Sequence, residues 1–151
     1  MIHRRHILSA AALVPLALAL PRSARAAEPR VFQGDRGAIN GIDPVAYFDG
    51  NGPVPGNPDI THDHDGATWV FASAGNREAF AAEPLRFAPA FGGYCAFAAS
   101  RGYLAPTIPE AWSIHEGRLF LNASLRARRL WTAELPDVIA QGEANWPGIL
   151  G

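Results

Sequence analysis

The sequence predicts a single small α+β domain of short antiparallel hairpins packed with short helices. Two segments carry that prediction. Residues 60–72 and 112–122 place strand-forming residues on both sides of an acidic residue followed by glycine, Asp65-Gly66 and Glu116-Gly117, the chemistry of a tight hairpin turn. In both, the period then changes to that of a helix behind a capping candidate, Ser73 in the first and Asn122 or Ser124 in the second. A chain of 151 residues suits one modest domain once a targeting segment is set aside.

Residues 1–26 read as an export signal. Arg4-Arg5 is a twin-arginine pair, an apolar run covers 7–20, and Pro21 breaks it. Ala24-Arg25-Ala26 then sets small residues where a signal peptidase reads, with cleavage expected after Ala26. The run is shorter than the ~20 residues of a spanning helix. No stable membrane insertion is therefore expected after cleavage, and the expected location is periplasmic or secreted by the twin-arginine pathway. Residues 27–39 read as a flexible polar lead-in, and 40–148 as the domain.

Within it, Asp43-Pro44 starts a turn, and Val45, Tyr47 and Phe48 suit a short strand. Three glycines and three prolines between Gly50 and Pro58 make a loop. The first hairpin has arms 60–64 and 67–72, with Trp69 and Phe71 on one face. A helix over 74–82 points Phe80 inward, and Pro84 ends it or opens another short turn. Gly92-Gly93 permits a sharp reversal, and the Ala-rich stretch 94–100 reads as a helix stopped by Gly102. The second hairpin, 112–115 and 118–122, leads into a helix over 125–133, and Pro136 opens a last one over 137–146. No internal repeat is evident.

Without residues 1–26, nine arginines face fourteen carboxylates, about −5 with His neutral, and lysine is absent. No basic stripe exists to neutralise phosphates, which argues against nucleic acid as a partner. The one basic cluster, 125–130, reads as a solvated helix face. Catalytic signatures are missing: no Gly-x-Ser-x-Gly elbow, phosphate loop or His-Glu-x-x-His is present, so no enzyme is expected. A single cysteine, Cys95, excludes an intramolecular disulfide.

The blocks "GIDPVAYFDG", "DGATWVFASAGNREAFAAEPLRFAPAFGGYCAFAASRGYLAP", "EAWSIHEGRLFLNAS" and "GEANWPG" resemble the exported YHS-domain proteins of bacteria, over about 40–148. The resemblance implies a small α+β module similar to the cysteine-bearing TRASH-type metal domains. Metal-competent members carry one cysteine after Asp-Pro-Val and two in a Phe-Cys-Ser-x-x-Cys run, a soft thiolate set suited to copper or zinc. This chain departs from that pattern: Ala46, Ala72 and Asn76 stand at the three cysteine positions.

Cys95 lies elsewhere, in the Gly-Gly-Tyr-Cys-Ala block. It is either a metal ligand or reactive thiol near His62, His64 or His115, or a small buried hydrophobe behind the glycine turn. His62 and His64, two apart on a strand, share a face. The alternative is a solvated hairpin rim that lacks a third ligand. Most of the aromatics are expected in the core, with Tyr47, Trp69 and Tyr94 as pocket candidates. The expected function is thus a non-enzymatic exported YHS-type binding module, with copper or zinc as candidate metals. The other reading is a metal-free accessory that binds a protein partner or a small apolar ligand.

Overall fold

The computed structural model describes residues 25–151. The twin-arginine signal, including Arg4 and Arg5, lies outside the described residues except for Arg25 and Ala26 at its expected end. The fold is α+β: three short antiparallel hairpins interleaved with five short α-helices and brief 3₁₀ turns. The first hairpin pairs β1 (Gln33–Gly34) with β2 (Gly37–Ala38). It belongs to the segment expected as a flexible lead-in, and that expectation is corrected. Val31, Ala38 and Ile39 are buried in the core, and Phe32 N–H donates to the Gly92 carbonyl at 2.8 Å. A side chain at Gly37 would strike the Thr68 carbonyl, so this hairpin lies directly against the backbone of residue 68 in the next one.

The expected strand at Val45–Phe48 is a 3₁₀ helix, Ala46–Asp49. The Asp43 carboxylate decides this. Its Oδ1 accepts the amides of Val45 (2.8 Å) and Ala46 (3.3 Å), which bends the chain back on itself instead of extending it.

The second hairpin joins β3 (Asn57–His64) to β4 (Ala67–Phe71). Asp65 and Gly66 have φ of 50° and 76°, the left-handed pair of a type I′ turn. Ser73 caps α1 (Ala74–Ala82) by accepting the Asn76 amide at 3.1 Å. After α2 (Pro84–Phe87) the chain reverses through Phe91, Gly92 and Gly93, all at positive φ, into α3 (Ala96–Ser100). That helix starts later than the sequence suggests because Cys95 serves as its cap. The third hairpin, β5 (Trp112–His115) and β6 (Arg118–Leu121), leads through Ser124 into α4 (Leu125–Ala133). The fifth helix, α5 (Asp137–Asn145), follows. The packed body runs past residue 148, since Leu150 is buried and its carbonyl accepts the Glu28 amide at 2.7 Å.

The second and third hairpins, each with its following helix, are two copies of one unit at a constant offset of 51 positions. His64, Gly66, Ala72, Ser73 and Arg77 correspond to His115, Gly117, Ala123, Ser124 and Arg128. The geometry repeats with them. The ring centroids of Trp69 and Phe80 are 5.0 Å apart at 37°, and those of Phe120 and Trp131 are 4.8 Å apart at 38°. His64 meets Phe80 edge-on and His115 meets Trp131 edge-on. The expectation of no internal repeat is corrected: the match lies in turn, cap and ring positions, whereas most core residues differ in kind.

Two apolar clusters result. One contains Ile39, Tyr47, Trp69, Phe71 and Phe80, and the other Phe91, Ala99, Trp131 and Val138. Strand β6 serves both. Leu119 and Leu121 point into the first cluster and Phe120 into the second, as strand alternation dictates.

Candidate functional site

Asp43 is the most confined charged group among the described residues, at 0% exposure. Beyond the two amides bonded to Oδ1, its Oδ2 accepts the Ala72 amide at 2.8 Å and the Asn76 side-chain amide at 2.7 Å. Four N–H donors thus surround one carboxylate, which is how a buried charge avoids a prohibitive desolvation cost. The donors come from positions 45, 46, 72 and 76. Three of these are the positions where the resemblance puts metal-binding cysteines. Loop and helix N-terminus converge there, and what fills the convergence is an N–H cage around a carboxylate.

Cys95 is buried at 2% exposure. Its Sγ accepts the Ala98 amide at 3.4 Å, and its thiol donates to Asn122 Oδ1 at 3.5 Å. Asn122 Oδ1 also accepts the Phe97 amide at 3.0 Å. The sulfur therefore closes the start of α3, an inward structural task.

His62 and His64 do share a face, as their spacing predicts. Both rings sit edge-on to Phe80, at centroid distances of 6.1 and 5.7 Å. Their neighbours are engaged elsewhere: Asp63 accepts the Thr68 hydroxyl at 2.7 Å, and Asp65 pairs with Arg30. Among the described residues, no three His, Cys, Asp or Glu side chains are grouped to hold a metal ion. Cys95, His62 and His64 therefore do not form the joint ligand set weighed from the sequence, because the thiol is engaged with Asn122 and the Ala98 amide whereas the imidazoles pack on Phe80.

The three pocket candidates separate. Tyr47 is a core residue whose hydroxyl donates to the Pro109 carbonyl at 3.0 Å. Burial raises its pKa, and the Glu110 charge adds to the effect. Trp69 donates from Nε1 to the His64 carbonyl at 3.0 Å. Tyr94 donates its hydroxyl to the Pro29 carbonyl at 2.9 Å while its ring forms the wall of an open groove. Burial, then the Glu28 carboxylate, raises the Tyr94 pKa.

That groove has a volume of about 690 Å³. Phe32, Tyr103, Leu104, Ile149 and Leu150 line it with Tyr94, while Glu28 and Gln33 supply polar groups. Its size is within the range of small-molecule sites, about 300–1,000 Å³. Of its walls, Tyr94 and Tyr103 were legible in the sequence, as hydroxyls available for polar recognition. The other walls come from the supposed lead-in, from the loop after Gly102 and from beyond residue 148. The apolar pairs Val31-Phe32 and Ile149-Leu150 were the available signal.

Among the described residues, no helix is long and apolar enough to cross a membrane. Compared with protein-family models, curated proteins and solved structures, the chain shows no significant match to any of them.

Proposed function

We propose that this chain is a non-enzymatic, exported binding module of the YHS type that works without metal and holds a small apolar ligand in the groove beside Tyr94. The groove is the observation that carries this reading: it is open, walled by aromatic and aliphatic side chains, and edged by a few polar groups. The inward-facing thiol of Cys95 and the saturated carboxylate of Asp43 favour the metal-free form over one that handles copper or zinc. Export rests on the twin-arginine pair and the Ala24-Arg25-Ala26 site. Cleavage after Ala26 would take Arg25 and Ala26 away from the groove and widen its mouth.

The test is a fluorescence titration of the purified protein with N-phenyl-1-naphthylamine, a neutral apolar probe. Saturable binding is expected, weakened at least tenfold by Leu104→Glu. In parallel, one equivalent of Cu(I) or Zn(II) is added and retention after desalting is measured. Metal retained by the parent and lost in Cys95→Ser would overturn the metal-free reading. Probe binding that fails to saturate, or ignores Leu104→Glu, would remove the groove.

A further inference from the structure

A second cleft, of about 350 Å³, opens on the other side of the segment that carries Pro29 and Phe32. Its polar lining is Arg30, Arg86, Arg118 and His64, with Asp65 as the one acidic residue. Arginine is concentrated here, each side chain paired with one carboxylate. Residues 27–151 hold nine arginines against fourteen carboxylates, yet three of the nine arginines face this one space. They come from separate elements: the N-terminal segment, α2 and the start of β6.

Each arginine commits one edge to an ion pair, and the Arg86 and Arg118 guanidinium groups also lie over the Phe87 and Phe120 rings at 5.0 and 5.1 Å. Arg30 uses Nε toward Asp65, Arg86 uses one Nη toward Glu83, and Arg118 uses one Nη toward Glu143 at 2.7 Å. A guanidinium has five N–H donors in a planar fork, so each keeps further donors for an incoming anion. The holding pairs are themselves exposed, and exposed pairs are weak enough to be re-aimed at little cost.

The rest of the wall is apolar. Phe91 and Trp146 stand 6.1 Å apart by ring centroids, and Leu85, the most exposed large hydrophobic side chain at 89%, also lines the cleft. Gly92 keeps the wall low. Its φ is +61°, and a Cβ there would lie 1.8 Å from the Arg30 carbonyl oxygen, so no other residue fits without moving the segment that carries Arg30.

We infer that this cleft binds a small organic carboxylate with an apolar, ring-sized body. The carboxylate takes a guanidinium fork from Arg86 or Arg118, and the body lies against Trp146, Phe91 and Leu85. A cluster of guanidinium groups alone would suit any anion; the aromatic and leucine walls are what select a carboxylate with an apolar body over a bare oxyanion.

The test uses 2-naphthoate, its neutral analogue 2-naphthamide, and inorganic phosphate, followed by calorimetry on the purified protein. Naphthoate is expected to bind at least tenfold more tightly than naphthamide. The double variant Arg86→Gln/Arg118→Gln is expected to lose at least tenfold in naphthoate affinity. Phosphate at millimolar concentration is expected not to compete. Equal binding of naphthoate and naphthamide, an unchanged double variant, or displacement by phosphate would each overturn the assignment. Thermal unfolding of the double variant checks that it is folded. Because all three probes are also titrated against Leu104→Glu, loss of naphthoate binding there would place the ligand in the groove and refute the cleft. The two sites therefore fail separately.

Discussion

The two hairpin–helix units share a backbone plan but close it with different chemistry. In the first, a charged group, Asp43, reaches in from a preceding loop and receives four N–H donors. In the second, the neutral Asn122 stands on the chain of the unit itself, and its Oδ1 receives the Cys95 thiol and the Phe97 amide. The buried side-chain polar atoms without a partner among the described residues, Asn122 Nδ2 and Trp131 Nε1, both belong to the second unit. The indole of the first unit, Trp69, is satisfied by His64. A buried charge demands complete solvation by the protein, whereas a neutral amide survives with one arm unpaired. The first unit is thus the more tightly specified of the two.

Breaking the Asp43 cage should have the largest effect. Asp43→Ala strands four donors, two of them buried and two part-buried, and a loss of about 3–5 kcal/mol is expected in urea unfolding, as for other broken buried charge networks. A loss below about 1 kcal/mol would mean that the cage is not what holds the first unit. Asn122→Ala should cost less, about 1–3 kcal/mol, since two donors lose one acceptor. Asn122→Asp sharpens the comparison. It places a charge where only two donors wait, and should destabilise more than Asn122→Ala; the reverse order would show that the second unit can solvate a carboxylate as well as the first.

The caps test the likeness of the units instead of their difference. Ser73→Ala and Ser124→Ala each remove one hydroxyl acceptor with bonds of 3.1 and 3.0 Å, and each should cost about 1 kcal/mol. Clearly unequal costs would show that the repeated geometry hides unequal helix ends. The smallest expected effect is a pH dependence tied to the first cluster. Tyr47 has a raised pKa in the folded protein, so its contribution is fully present below the unfolded value of 10.0 and is lost as pH rises above it. Stability should therefore fall on the alkaline side of pH 10, and Tyr47→Phe should flatten that slope. An identical alkaline slope in the variant would assign the loss to other groups.

Much of this architecture is legible in the sequence because it is local. Asp65-Gly66 and Glu116-Gly117 fix their turns by positive φ, and Ser73 and Ser124 fix their helix starts three residues ahead. The burial of Phe80 follows from helical spacing. What escaped is non-local. Asp43 and Asn76 are 33 positions apart, and no local pattern announces that one caps the other. Val45 to Phe48 is too short for periodicity to separate strand from helix, and a single carboxylate settles it. The lead-in looks polar because its burial is carried by only a few residues, Val31, Ala38 and Ile39, spread among charges and glycines. The groove and the arginine cleft are assembled from segments at opposite ends of the chain, so composition alone registers a mildly acidic protein and conceals the gathering of three arginines at one cleft.

Strand β6 has a further consequence. It offers Leu119 and Leu121 to one cluster and Phe120 to the other, so neither cluster can come apart while the strand stays seated in its partner. The two units are duplicates in form but not separable in unfolding. The amide protons of Leu119, Phe120 and Leu121 should accordingly exchange with solvent only through global opening, at a single common free energy, while those of the exposed β3 edge exchange sooner.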